Sequence, residues 1–188
     1  DGNIDYMTSH PEESGHLHYY RNINGELNLL GEVHQTDGSP VINNSFMTPT
    51  FSDIDNDSDS DFFTGNYAGT VTFYENVGWD DNIPVFQFIS ATWQNISIIG
   101  NLRHGASAIQ FIDLDGDEDF DLSWGDYFHQ SLYIIWNIGN AEFPVMDIFN
   151  VIESFPEEDP VITAGQNMPG FVDLDGDNDA DLIISVLS

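Results

Sequence analysis

The stretch DLDGDEDFD at residues 113–121 sets five aspartates at alternate positions, and it recurs as DLDGDNDAD at 173–181 and, more loosely, as DIDNDSDSD at 53–61. The leading aspartates, Asp53, Asp113 and Asp173, stand 60 residues apart in each case. A solvated acidic run has no reason to recur at a fixed interval. A repeated structural unit does, and that restricts the chain to repeat architectures, in which each unit buries its apolar face on its neighbours.

The units are built of strands. Aligned on Asp5, Asp61, Asp121 and Asp181, they continue with a short apolar segment, a turn-rich gap and an alternating aromatic and β-branched run such as GTVTFYEN or HLHYYRN. That alternation is the period of a half-buried strand, and no segment sustains a helical period. Asn22, Asn76 and Asn137 fall at equivalent places after the run. Each unit reads as about four short antiparallel strands, the pattern of a β-propeller blade. The boundaries are a partial blade at 1–45, blades at 46–107 and 108–167, and a partial blade at 168–188, with long connections at 94–107 and 153–167. Three, four, four and two strands, about 13 in all, are too few to close a ring, so the expectation is an all-β segment of a larger propeller.

The acidic loops carry the chemistry. In an extended chain the alternate aspartates share one face, and curling that stretch makes a concave cage of oxygens. Gly116 and Gly176 sit where a tight bend needs positive φ, and Asn56 takes that place in the first loop. Ile54, Leu114 and Leu174 point the other way, with the core as their expected anchor. Oxygen ligands without Cys or His suit a hard cation, and the number on offer favours Ca²⁺, which accepts six to eight, over Mg²⁺, which keeps its waters. Without a cation, crowded like charges raise carboxylate pKa values and loosen the loop. An EF-hand does not fit: its Gly at loop position 6 and acid at position 12 are replaced by Ser58, Glu118 or Asn178 and by Thr64, Trp124 or Ile184.

The stretches FSDIDNDSDSDFFTG, FIDLDGDEDFDLSWG and FVDLDGDNDADL, the first two followed by an aromatic strand and N-x-G, resemble the FG-GAP/VCBS-type repeat of integrin-α-like calcium-binding propellers. The resemblance spans almost the whole chain. It implies a propeller, seven-bladed when complete, with about three Ca²⁺ sites. Side-chain ligands would come from loop positions 1, 3, 5 and 9, and a backbone carbonyl from position 7. The residues so implicated are Asp53, Asp55, Asp57 and Asp61 with Asp59; Asp113, Asp115, Asp117 and Asp121 with Asp119; and Asp173, Asp175, Asp177 and Asp181 with Asp179. The family's Gly at position 6 is replaced in all three loops, so either that residue is strained or the bend moves to position 4. In the incomplete first unit Asp1, Asn3 and Asp5 match positions 5, 7 and 9.

Composition narrows the partners. There are 33 Asp and Glu against two Arg and no Lys, a formal charge of −31, which repels nucleic acid and anionic membranes and attracts cations. Hydrophobic residues still make up 40% and aromatics 13%, enough for a packed core. Cysteine is absent, and no apolar run is long enough to span a bilayer. The four tryptophans, at 79, 93, 124 and 136, fit blade core, with a sugar-stacking platform as the alternative. His16 and His18 share a strand face and, with His10 or His34, could bind a transition metal. No catalytic signature is present, so the chain reads as a non-enzymatic binding or adhesion module of an exported or cell-surface protein. Its ligand would be protein or glycan, and the rest of its own propeller a further partner. The alternative implied by the resemblance is the propeller portion of a carbohydrate-active enzyme such as a polysaccharide lyase.

Overall fold

The computed structural model describes residues 3–10, 12, 14–44, 48–98, 106–177 and 179–186. Asp1 of the incomplete loop, Asn178 of the third loop and most of the 94–107 connection beyond Ile98 lie outside them. The described residues form an all-β structure of thirteen strands in four small sheets, with one 3-10 turn and no α-helix. The first sheet holds β1 (Tyr6–Ser9), β2 (Leu17–Ile23) and β3 (Glu26–Glu32). The second orders β4 (His34–Gln35), β8 (Ile83–Ser90), β7 (Val71–Asp80), β6 (Asp61–Gly65) and β5 (Thr50–Ser52). The third is β11 (Leu132–Ile135), β10 (Asp121–Asp126) and β9 (Ala106–Ile112), and the fourth pairs β12 (Asn167–Val172) with β13 (Asp181–Val186).

The strand inventory differs from four antiparallel strands per unit in two places. β4 follows the first unit's strands yet joins the second sheet, parallel to β8 through His34–Val85 and Gln35–Phe86. The segment after Pro144 makes no fourth strand. Its ladder contacts are isolated bridges, Asn137–Met146 and Ile134–Ile152. The hairpins follow their turn chemistry. Asn24 and Gly25 (φ 56° and 89°) join β2 to β3, while Asp81 and Asn82 (φ 47° and 66°) join β7 to β8. Positive φ at both central residues is the two-residue turn whose twist matches a hairpin, and Asn, Asp and Gly tolerate it.

Strand β6 explains how the sheets stack. All five of its residues are buried, as expected for a strand covered on both faces. Phe62 and Phe63 point to opposite sides. Phe62 packs with Tyr74 and Phe86 and with Leu17, Tyr19, Val33 and Val41, filling the space towards the first sheet. Phe63 stacks on Phe73 at 4.7 Å between centroids, and meets Phe111 of the third sheet at 4.5 Å and Trp93 of the 3-10 turn at 5.1 Å. Trp124, fully buried, joins this second core.

Polar ties reinforce the stack. The Thr50 hydroxyl donates to the Ile109 carbonyl (2.7 Å), and 60 residues on, Gln110 exchanges hydrogen bonds with the Phe171 backbone. Third and fourth sheets also meet at Gly125, where an added Cβ would lie 2.1 Å from the Asn167 carbonyl oxygen. No side chain larger than hydrogen fits there.

Candidate metal centres

Each acidic loop bridges the first two strands of its unit: 53–61 joins β5 to β6, 113–121 joins β9 to β10, and 173–181 joins β12 to β13. The leading aspartate folds the chain back on itself. Asp53 accepts the N–H groups of Asp57 (2.9 Å) and Ser58 (3.1 Å). Asp113 accepts those of Gly116, Asp117 and Glu118 at 2.7–3.2 Å. Asp173 accepts that of Gly176 at 2.7 Å. The fifth-position carboxylate then accepts the N–H two residues on: Asp57 Oδ1 accepts that of Asp59, Asp117 Oδ1 that of Asp119 and Asp177 Oδ1 that of Asp179, at 3.0–3.1 Å. The alternate side chains are thereby curled to one centre.

Backbone conformation answers the question raised by position 6. Position 4 takes positive φ in all three loops (Asn56 58°, Gly116 81°, Gly176 81°), and so does position 6 in the first two (Ser58 79°, Glu118 71°). The bend is not moved; it is made twice. Ser58 and Glu118 carry the strain of a side chain in the left-handed region, about 1–2 kcal/mol each.

Three carboxylates converge in each loop, with ligand atoms within 4.8 Å of one another: Asp53, Asp55 and Asp57; Asp113, Asp115 and Asp121; Asp173, Asp175 and Asp181. These clusters could hold a metal ion. The expected position-9 ligand joins the set in the second and third loops. In the first, Asp61 lies outside it. Asp117 and Asp177, expected as ligands at position 5, are likewise outside their sets and are used in turn hydrogen bonds.

The fit to a hard cation rests on oxygens left over inside the loops. Asp55 Oδ1, Asp59 Oδ1, Asp61 Oδ2 and Asp119 Oδ1 are buried and accept no hydrogen bond, a costly state for a carboxylate unless a cation or proton satisfies it. The position-7 side chains, Asp59 and Asp119, thus lie among the loop carboxylates, each with one oxygen buried and unpartnered. Burial pushes Asp61 up to about 7, opposed by the Asn76 N–H and aided by the neighbouring Asp55, Asp59 and Asp57. Burial, with Asp57, Asp53 and Asp55, likewise raises Asp59 to about 6. Asp121 reaches about 6 through burial, against the N–H groups of Asn137 and Leu114. In the exposed third loop the charge of Asp177 raises Asp179.

A second recurrent feature clasps the 53–61 and 113–121 loops, and the incomplete loop ending at Asp5, to the strands that follow. The N–H groups of Asn22, Asn76 and Asn137 each donate to Oδ1 of Asp5, Asp61 and Asp121, all at 2.8 Å. Each Asn Oδ1 in turn accepts the N–H of a nearby glycine, Gly25, Gly78 or Gly139. Its sequence sign is the similar spacing of Asp and Asn, 17, 15 and 16 residues. The loop anchors are unequal. Ile54 is in the core and Leu114 half-buried, but Leu174 is exposed, because only two strands support the third loop.

The histidines do not converge on one centre. Glu32 pairs with His16 and with His34 (3.0 Å to Nε2), whereas His10 stacks on His18 with centroids 4.6 Å apart. Among the described residues no helix is long and apolar enough to cross a membrane. The chain matches no protein-family model and no curated protein.

Proposed function

We propose that the chain is a calcium-stabilised β-propeller segment of the FG-GAP/VCBS type, acting as a non-catalytic binding or adhesion module of an exported or cell-surface protein. The observation that carries this reading is the coincidence, at a common register, of a curled aspartate loop and an Asp–Asn clasp. Calcium would be held by the carboxylates of each loop, with the buried, unpartnered oxygens of Asp55, Asp59, Asp61 and Asp119 as further ligands. It supplies charge neutralisation and rigidity: a loop whose carboxylates repel becomes a fixed hinge between two strands. Stacked sheets would serve as blades, and outward apolar side chains at both ends of the stack (Tyr6, Leu27 and Leu29; Val172 and Ile183) suit flanking blades.

The test is calorimetric titration of chelator-stripped protein with Ca²⁺, with Mg²⁺ as competitor, alongside thermal melts and an Asp115→Ala variant. About three sites, discrimination against Mg²⁺, a raised melting temperature and loss of one site in the variant are expected. No binding at millimolar Ca²⁺ would remove the metal from this reading.

A further inference from the structure

A cleft opens between the first two sheets, walled by β2 and the segment before β1 on one side and by the β7–β8 hairpin on the other. Asn3, Asp5, Tyr19, Arg21, Trp79 and Asn82 line a cavity of about 420 Å³ there. A second, of about 390 Å³, shares Asp5, Tyr19 and Trp79 and runs on to Ser58, Asp59 and Ser60 of the first acidic loop. Of the tryptophans, Trp93 and Trp124 are buried in the core, but Trp79 is 60% exposed. It stands next to the tight Asp81–Asn82 turn, paired across the hairpin with Pro84, and meets Tyr19 of the first sheet edge-on at 6.0 Å. A large apolar ring is thus held out to solvent by a stiff support, at the mouth of a cleft.

The polar side chains around it select the class of ligand. Asp5 is fixed in place by hydrogen bonds donated by the Asn22 N–H and the Tyr19 hydroxyl. Asn3, Asn82 and Arg21 add planar, forked donors and acceptors. An anionic ligand would meet a chain of net charge −31. The lining itself carries one acid and one base, Asp5 and Arg21, whose charges offset each other. A wall of one aromatic face and balanced polar groups suits a neutral molecule with one apolar face and a rim of vicinal hydroxyls, which is the chemistry of a pyranose ring.

We propose that the cleft between the first two sheets is a binding site for a neutral saccharide, with the Trp79 indole as its stacking face and Asp5, Arg21 and Asn82 as hydroxyl partners. This deepens the binding-module reading and rests on it. The indole covers the C–H face of one sugar ring, while the carboxylate and guanidinium bridge adjacent hydroxyls. The second cavity leaves room for another ring towards the acidic loop.

The test is calorimetry and saturation-transfer NMR of the whole chain with cellohexaose, chitohexaose, mannohexaose, maltohexaose and xylohexaose, each to about 10 mM, a range that detects dissociation constants near 1 mM. At least one is expected to bind, with roughly tenfold loss in Trp79→Ala and partial retention in Trp79→Phe. Trp79 is exposed enough for both variants to fold, which circular dichroism checks. A flat response from all five overturns the proposal, and so does binding unchanged in Trp79→Ala. Preferential binding of polygalacturonate or of tetramethylammonium would overturn it too. The same samples are analysed for cleavage: a bound but shortened oligosaccharide would sink the non-catalytic reading and leave the saccharide site standing, whereas a flat calcium titration would remove the metal alone.

Discussion

Replacing Asp61 by Asn has opposite effects with and without calcium, and the sign of each can be worked out. Asp61 is 2% exposed; its Oδ1 accepts the Asn76 N–H, and its Oδ2 is buried with no partner. Its pKa is raised from 3.8 to about 7. In the ion-free protein the folded state therefore binds more protons than the unfolded state between those two values. Stability from this group is fully present below pH 3.8, falls as pH rises through the window, and levels off above about 7. The full cost of ionising Asp61 in place is ~4 kcal/mol, reduced to roughly 2 kcal/mol as the ion-free loop relaxes around the new charge. Asparagine keeps the acceptor for Asn76, and places an amide N–H₂ where the unpartnered oxygen was, facing the carboxylates of Asp55 and Asp59.

In chelator at pH 8, Asp61→Asn is thus expected to gain roughly 2 kcal/mol, or about 4–8 °C in melting temperature for a chain of this size. In saturating calcium the advantage disappears, because the variant has lost one ligand charge. A hundredfold weaker site forfeits about 2.7 kcal/mol of ligand-linked stability. Differential scanning fluorimetry of both proteins from pH 4 to 8, with and without calcium, reads this as a crossing. Equal destabilisation of the variant in both conditions would refute the reasoning, and so would a wild-type protein that gains stability between pH 4 and 7 in chelator.

The strain at position 6 predicts that Glu118→Gly stabilises the ion-free protein by about 0.5–1 kcal/mol, relief of the left-handed side chain outweighing the added freedom of the unfolded chain. Glu118→Ala removes the same charge but keeps the strain, so a gain equal to that of glycine in urea melts would assign the effect to charge. Gly125→Ala should cost at least about 2 kcal/mol, since its Cβ would collide with the Asn167 carbonyl across the third and fourth sheets. A neutral result in denaturant unfolding would mean that these sheets do not approach so closely. Phe63→Ala, emptying the centre of the core shared by the second and third sheets, should cost about 3–5 kcal/mol; a loss under 1 kcal/mol would put that interface in question.

What could be read from the sequence is what local chemistry decides. Alternating aspartates with Gly or Asn at the bend specify the curled loops, and the β-branched and aromatic runs specify the strands around them. Alignment on Asp5, Asp61 and Asp121 puts Asn22, Asn76 and Asn137 in register, and the three share one hydrogen-bond pattern. What escaped depends on neighbours distant in sequence. β4 is two residues long, and its pairing with β8 is settled by the second sheet's open edge, some 50 residues away. The run after Pro144 has the same Pro-apolar pattern as β8, but Asn137 Oδ1 takes the Val145 N–H and Gln94 Oε1 the Met146 N–H, consuming donors that a ladder would need.

Tryptophan makes the same point about function. Turn-forming residues follow Trp79 (Asp-Asp-Asn) and Trp124 (Gly-Asp) alike, so local sequence alone does not separate the exposed ring from the buried one. Their fates diverge because Trp93 and Trp124 fall between two stacked sheets, whereas Trp79 lies past the end of the stack, beside a turn. The same letter serves in a core and beside an exposed turn, and the position of the neighbouring sheet decides between them. The acidic loops recur at 60 residues, whereas the hairpin tips differ: Trp79 stands three residues after Asn76, and Asn140 three after Asn137.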